Sequence, residues 1–171
     1  GMKMFGACTD KMDPITSYIE PSNLKSITVK HGTNGNLFGN NIGGSIDMAL
    51  QEPNCECAHP FYTNVSVGYE SVSNSRNVLM STGYIKNKWQ WGLNGVYRKN
   101  DLYTSGKGEQ VPFSQFEKSN IHSVLKFLPD SNNTFKVDAL YDIGINVGYP
   151  ALPMDVGKAS AILFALEYER L

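Results

Sequence analysis

"LKSITVKHGTNGNLFGNNIGGSIDMAL", residues 24–50, decides how the rest of the chain is read. It holds two short β-type runs, Lys25–Lys30 and Gly44–Leu50, separated by a loop carrying Gly32, Gly35, Gly39, Gly43 and Gly44. Glycine at that density permits positive φ and close approach of other backbone. Just upstream, "PSNLKSI" reads as a short turn with Ser22 as its N-cap. A phosphate-binding reading of the loop fails. A P-loop needs Gly-Lys-Ser/Thr after its spacer and a dinucleotide fingerprint needs strand, turn and helix, whereas "SIDMAL" continues from Gly44 as a strand. The loop is structural.

Downstream, from about Phe61, the pattern becomes a series of strands. "KWQWGLNGVYR" places Trp89, Trp91, Leu93 and Tyr97 on one face and Lys88, Gln90, Asn94 and Arg98 on the other. "TFKVDALYD" sets Phe135, Val137, Ala139 and Tyr141 against Thr134, Lys136, Asp138 and Asp142, and "SAILFALEYE" sets Ile162, Phe164, Leu166 and Tyr168 against Ala161, Ala165, Glu167 and Glu169. With "TNVSVGYES", "RNVLMSTGYIK" and "NIHSVLKFLP" this makes about six strands, punctuated by turn signals at 73–75, Asn87 and 129–133. A polar stretch, Asn100–Pro112, interrupts one hairpin. An antiparallel up-and-down meander is the economical reading. Its small polar residues suit the wet interior of a large barrel, yet six strands cannot close one around a sizeable lumen.

Composition narrows the function classes. The chain has 171 residues, 15 basic and 16 acidic, for a net charge of −1, so no electrostatic grip on nucleic acid is expected. Charged residues make up 18% against the roughly 25% of ordinary globular chains, with Asn, Ser, Thr, Gly and Tyr in their place. The start lacks the basic and apolar regions of a signal peptide, and the longest apolar run, "ASAILFALEY", is about half a membrane helix. A β-barrel membrane protein would look just as polar on a hydropathy plot. No Gly-x-Ser-x-Gly or His-Glu-x-x-His occurs, so no enzyme is expected.

Three cysteines cannot all pair within one chain, and Cys55 and Cys57 are too close for an unstrained disulfide. Cys8 and Met12 stand four apart in "GACTDKMDP". On a strand they would lie about 13 Å from each other at roughly 3.3 Å per residue. One helical turn brings them within reach of one ion, and Pro14 biases Asp13 away from helix, so such a turn finishes there. Copper(I) prefers thiolate and thioether ligands. Taken alone the pair reads as packing, a buried Cys and a gap-filling Met. "CECAH" puts Cys55, Cys57 and His59 on one face if extended, but lacks the usual zinc spacing and reads as a linker. Met2 and Met4 read as lining.

The glycine-rich segment resembles the closing part of the plug domain of TonB-dependent outer-membrane receptors. There a short strand enters a glycine-rich turn and ends in an Ile-Gly-Gly-x-Ile strand before the barrel. Ile27–Val29, Gly32, Gly39 and Ile42-Gly43-Gly44-Ser45-Ile46 occupy those places, and the strands follow a polar connector, "QEPNCECAHP". "MDPITSYIEPSNL" and "YPALPMDVGKASA" are similar to the copper-receptor branch, in which a Cys-x-x-x-Met pair before Met-Asp-Pro supplies copper ligands. Cys8 and Met12 match that pair. The branch's His-x-Met pair has no counterpart: His31, His59 and His122 are followed two residues later by Thr33, Phe61 and Val124.

The resemblance implies a mainly β chain: the C-terminal half of a plug domain over residues 1–58, then the N-terminal strands of a transmembrane β-barrel over 59–171. Family members carry about 22 strands, so the chain is expected to be a fragment or truncated piece. The implied function is active transport of copper or a copper complex across a Gram-negative-type outer membrane, without catalysis and with no required cofactor. Cys8 and Met12 are then the metal ligands. Partners would be the TonB energy system, through a segment outside these residues, and outer-membrane lipid. Unpaired sheet edges would favour self-association. An iron chelate or other organic ligand is the alternative cargo, met by Tyr103 and Phe113. A small soluble β-barrel or sandwich that binds a ligand is the alternative of another class. Trp89, Trp91, Tyr84 and Tyr97 fit a lipid-facing girdle, but an isolated soluble piece would use the tryptophans as sheet core.

Overall fold

The computed structural model describes residues 15–32, 43–53, 59–152 and 155–171. Among them, two short 3-10 turns, Ile15–Tyr18 and Pro21–Asn23, precede eight strands. These are β1 (Leu24–His31), β2 (Gly44–Leu50), β3 (Phe61–Glu70), β4 (Ser75–Lys86), β5 (Trp89–Asn100), β6 (Phe116–Asp130), β7 (Asn133–Val147) and β8 (Val156–Arg170). The chain divides into a smaller unit, Pro21–Glu52, and a larger one that joins the residues up to Glu20 with Pro53–Leu171.

In the smaller unit, β1 and β2 form an antiparallel pair with Ile27 opposite Met48, Val29 opposite Ile46 and His31 opposite Gly44. Gly44 sits at φ +126°, where a Cβ would run into the Lys30 carbonyl, so glycine is required there. Both β-type runs of the sequence become strands. The 3-10 turn absorbs Ser22 into its middle instead of leaving it as a cap. The Gln51 amide donates to the Asn23 carbonyl at 2.7 Å and closes the base of the pair.

The larger unit is a six-stranded sheet in the order β3-β4-β5-β6-β7-β8, antiparallel throughout. Its mainly β, up-and-down meander is the architecture expected from the alternation. Asn74 and Asn87 take φ of 48° and 53° in the turns they mark, because asparagine tolerates the left-handed region that those turns need. In the β6–β7 turn, Asp130 accepts from the Asn133 side-chain amide at 2.8 and 2.9 Å and from the Asn132 backbone amide at 2.9 Å. Those bonds hold its carboxyl below the ordinary carboxylate range. The polar stretch after Asn100 is a loop, 101–115, tied by Ser105 to Glu109 and by Val111 to Tyr103.

The two faces of this sheet invert the usual order of a water-soluble domain. Its buried polar residues include Asn94, Asn120, His122, Asp138 and Asp142, all on one face. The other face carries Val65, Val67, Met80, Ile121, Ile162, Phe164 and Leu166, all exposed, with Ile162 at 79% and Leu166 at 73%. The tryptophans are a correction to the sheet-core expectation. Trp89 stands on the exposed apolar face at 49%, and Tyr84 and Tyr97 share that face. Trp89, Phe127, Phe135 and Tyr168 are register neighbours across β5 to β8, with ring centroids 4.5, 6.3 and 4.9 Å apart. They form one aromatic row just inside the β6–β7 turn. From that row, the apolar face of β7 runs from Phe135 to Ile145, ~33 Å of strand. A strand of that length, tilted by about 40° as in membrane barrels, would span roughly 25 Å of height. Among the described residues no helix is long and apolar enough to cross a membrane.

One glycine contact on the polar face is directly testable. Tyr62 faces Gly83 across β3 and β4, and its ring fills the space a Cβ on Gly83 would take. Replacing Gly83 with Val forces the ring away and is expected to cost about 1–3 kcal/mol, the cost of overpacking. Urea unfolding in detergent should show this loss, and Tyr62→Ala in the same chain should relieve it.

Candidate functional site

The polar face is where the sequence concentrates ionisable and amide side chains. Period-2 alternation puts Arg98 of β5, Lys118, Asn120 and His122 of β6, and Lys136, Asp138 and Asp142 of β7 on one side. Register then brings them into two clusters. In the first, Asn120 stands opposite Asp142 and donates to its Oδ2 at 2.7 Å, while Lys118 Nζ faces the same oxygen at 3.4 Å. In the second, Asp138 takes Lys136 Nζ on Oδ2 at 2.9 Å and His122 Nε2 on Oδ1 at 3.2 Å. Lys136 also lies 3.7 Å from Glu167 on β8.

Buried carboxylates are costly unless a cation or donor meets each of them, and here both are met. His122 is fully buried, and its Nδ1 has no hydrogen-bond partner. With Nε2 directed at a carboxylate, the imidazole is held in one orientation.

The 15–20 segment lies against this face and is tied to it at three points. Lys118 Nζ donates to the Ser17 carbonyl. Asn120 Nδ2 reaches toward the Tyr18 carbonyl at 3.5 Å. Glu20, with its side chain 3% exposed, pairs with Arg98 Nη2 at 2.6 Å. Farther along the sheet the Pro53 ring covers Gly92, which has no side chain to push it off. The chain on both sides of the smaller unit therefore rests on the polar face of the larger sheet.

Cys8 and Met12 lie outside the described residues, as do Cys55 and Cys57. His59 is exposed just ahead of β3. Among the described residues no group of three His, Cys, Asp or Glu side chains is placed to hold a metal ion. Tyr103 and Phe113 are exposed on the 101–115 loop, with Phe113 at φ 59°. Sequence reasoning put Lys136, Asp138 and Asp142 on a polar face but did not single out Glu20, Lys118, Asn120 or His122. Alternation within "NIHSVLKFLP" carried the signal for Asn120 and His122. Nothing local marked Glu20 as the partner of Arg98.

No family model matches the chain, and no curated protein matches it. Among solved structures it is similar to the one described as Copper transporter OprC, with a TM-score of 0.84 and 23% identity. The match covers 98% of this chain and 25% of that one, so the chain spans about a quarter of that transporter's length. At this identity the likeness shows the fold: the six-stranded meander has the form of part of that transporter's chain.

The Glu20–Arg98 pair can be probed on its own. Arg98→Met leaves a buried carboxylate without its cation and is expected to cost about 2 kcal/mol. That is below the roughly 3–5 kcal/mol for a fully buried pair, because the Arg98 side chain is 38% exposed. Adding Glu20→Met should return most of the loss, as read from the denaturation midpoint of the double variant.

Proposed function

We propose that this chain is part of a TonB-dependent outer-membrane active transporter for copper or a copper complex. Residues 1–58 are the C-terminal part of its plug and 59–171 the first strands of its barrel. One observation carries the reading: a sheet whose exposed face is apolar and aromatic-rimmed while its charged face is covered. Such a sheet is at home with lipid on one side and a polar interior on the other. The fold shared with a copper transporter, and the Ile-Gly-Gly-x-Ile segment leading toward the strands, support the same reading.

In this reading Cys8 and Met12 capture the metal. Thiolate and thioether are soft donors suited to Cu(I), and two donors alone would bind it without a rigid cage. Energy delivered through TonB would shift the plug and separate the pair from its other contacts, releasing the metal inward. The polar face offers the departing cargo groups that are already charge-balanced, so passage does not require stripping a bare charge from the wall. No side chain has to perform covalent chemistry. The exposed apolar face also argues against a small soluble binding module, which would bury those side chains.

Copper(I) titration of the full chain against a chromogenic competitor tests the metal site. The double variant Cys8→Ala, Met12→Ala is expected to lose at least a hundredfold in affinity. Unchanged affinity in that variant would show that Cys8 and Met12 are not the metal ligands.

A further inference from the structure

Where the polar face of β6 and β7 meets β8, the 15–18 turn and the strands line a half-open recess of about 140 Å³. Phe116, Val147, Val156 and Ala159 make its walls mostly apolar, and Tyr18, Lys118 and Asp142 supply polar groups. A cavity of about 150 Å³ is large enough to hold benzene, so this one suits a molecule of roughly six to nine heavy atoms.

The polar groups retain unused capacity. Lys118 has three N–H donors; one goes to the Ser17 carbonyl and another faces Asp142 at 3.4 Å. Asn120 and Lys118 both meet Asp142 at Oδ2, which leaves Oδ1 to accept from another donor. The Tyr18 hydroxyl is buried without any hydrogen-bond partner, an arrangement that an occupant able to bond it would relieve.

Charge balance selects the ligand class. A lone anion drawn to Lys118 would meet the Asp142 carboxylate, and a lone cation drawn to Asp142 would meet the Lys118 ammonium. A molecule with both charges a few ångströms apart satisfies each. We infer that this recess is a binding site for a small zwitterion, an α-amino acid with a short aliphatic side chain. Its carboxylate meets Lys118, its ammonium meets Asp142 Oδ1, and Tyr18 bonds whichever head group lies beside it. The aliphatic part lies against Val147, Val156 and Ala159. None of these residues belongs to the Cys8–Met12 pair, so the site stands independently of the copper reading.

Titration calorimetry of the full chain in detergent tests it with three probes: valine, 3-methylbutanoate, which lacks the ammonium, and 2-methylpropylamine, which lacks the carboxylate. Valine is expected to bind one per chain, and each analogue at least tenfold more weakly. Ala159→Leu fills the recess without touching the ionic network and should abolish valine binding. Tyr18→Phe removes only the hydroxyl and should weaken it several-fold. No binding of valine, equal binding of all three probes, or unchanged valine binding in Ala159→Leu would each overturn the proposal. Copper titration of Ala159→Leu is expected to match the parent chain, which separates failure here from failure of the metal site.

Discussion

A carboxylate removed from water must meet a cation or a set of donors, and that requirement organises the larger sheet. Asp138 is held between His122 and Lys136, Asp142 between Asn120 and Lys118, and Glu20 against Arg98. Lys136–Asp138 lies within β7; the other partnerships join different strands, or a strand to the 15–20 segment. They can form only if the charged side of all the central strands is turned the same way. Once it is, the apolar side chains have nowhere to go but the opposite face. Val65, Val67, Ile121, Ile162, Phe164 and Leu166 stand exposed there. Burying side chains of this kind is worth about 1.5–3 kcal/mol each. These six, 48–79% exposed, forgo about 6–12 kcal/mol in water, comparable with the whole stability of an ordinary domain. Lipid against that face, as the proposed function supposes, would remove that difficulty.

The same ionic pairs bear on the proposed transport function. The segment around Ser17–Glu20 is bound to the sheet by polar bonds and one well-formed ion pair, with Tyr18 as its buried apolar contact. Polar contacts of that kind can exchange for water when a segment moves, whereas a dry apolar interface would resist separation. If that segment belongs to a moving plug, as the proposed function has it, such attachments would let it shift and return. The recess beside Lys118 and Asp142 lies at that same junction, so an occupant would touch both the 15–18 turn and the wall strands.

Much of this arrangement was legible in the residues. Strict alternation in 89–98, 134–142 and 161–169 gave the strands and sorted Lys136, Asp138 and Asp142 from Phe135, Val137 and Tyr141, because a pleated strand points successive side chains to opposite faces. Asn74 and Asn87 marked turns through their tolerance of positive φ. Alternation is silent, however, about which face is covered. That is why Trp89 could be read as core although it lies exposed in the aromatic row. Pairings between distant segments were equally invisible: Glu20 and Arg98 meet through the tertiary fold, and no local pattern encodes that contact. The Cys8–Met12 pair was legible as chemistry only, and its geometry falls outside the described residues.

In the proposed function the apolar face meets lipid. The chain contains two tryptophans, Trp89 and Trp91, and both belong to that face, so their fluorescence reports on it alone. The decisive measurement is quenching of this fluorescence in vesicles, by lipids brominated near the headgroup and by acrylamide in the water. The account predicts strong quenching by the shallow brominated lipid and little by acrylamide, as an aromatic row at the membrane boundary requires. Strong acrylamide quenching with no effect of brominated lipid would place that face in water and contradict it.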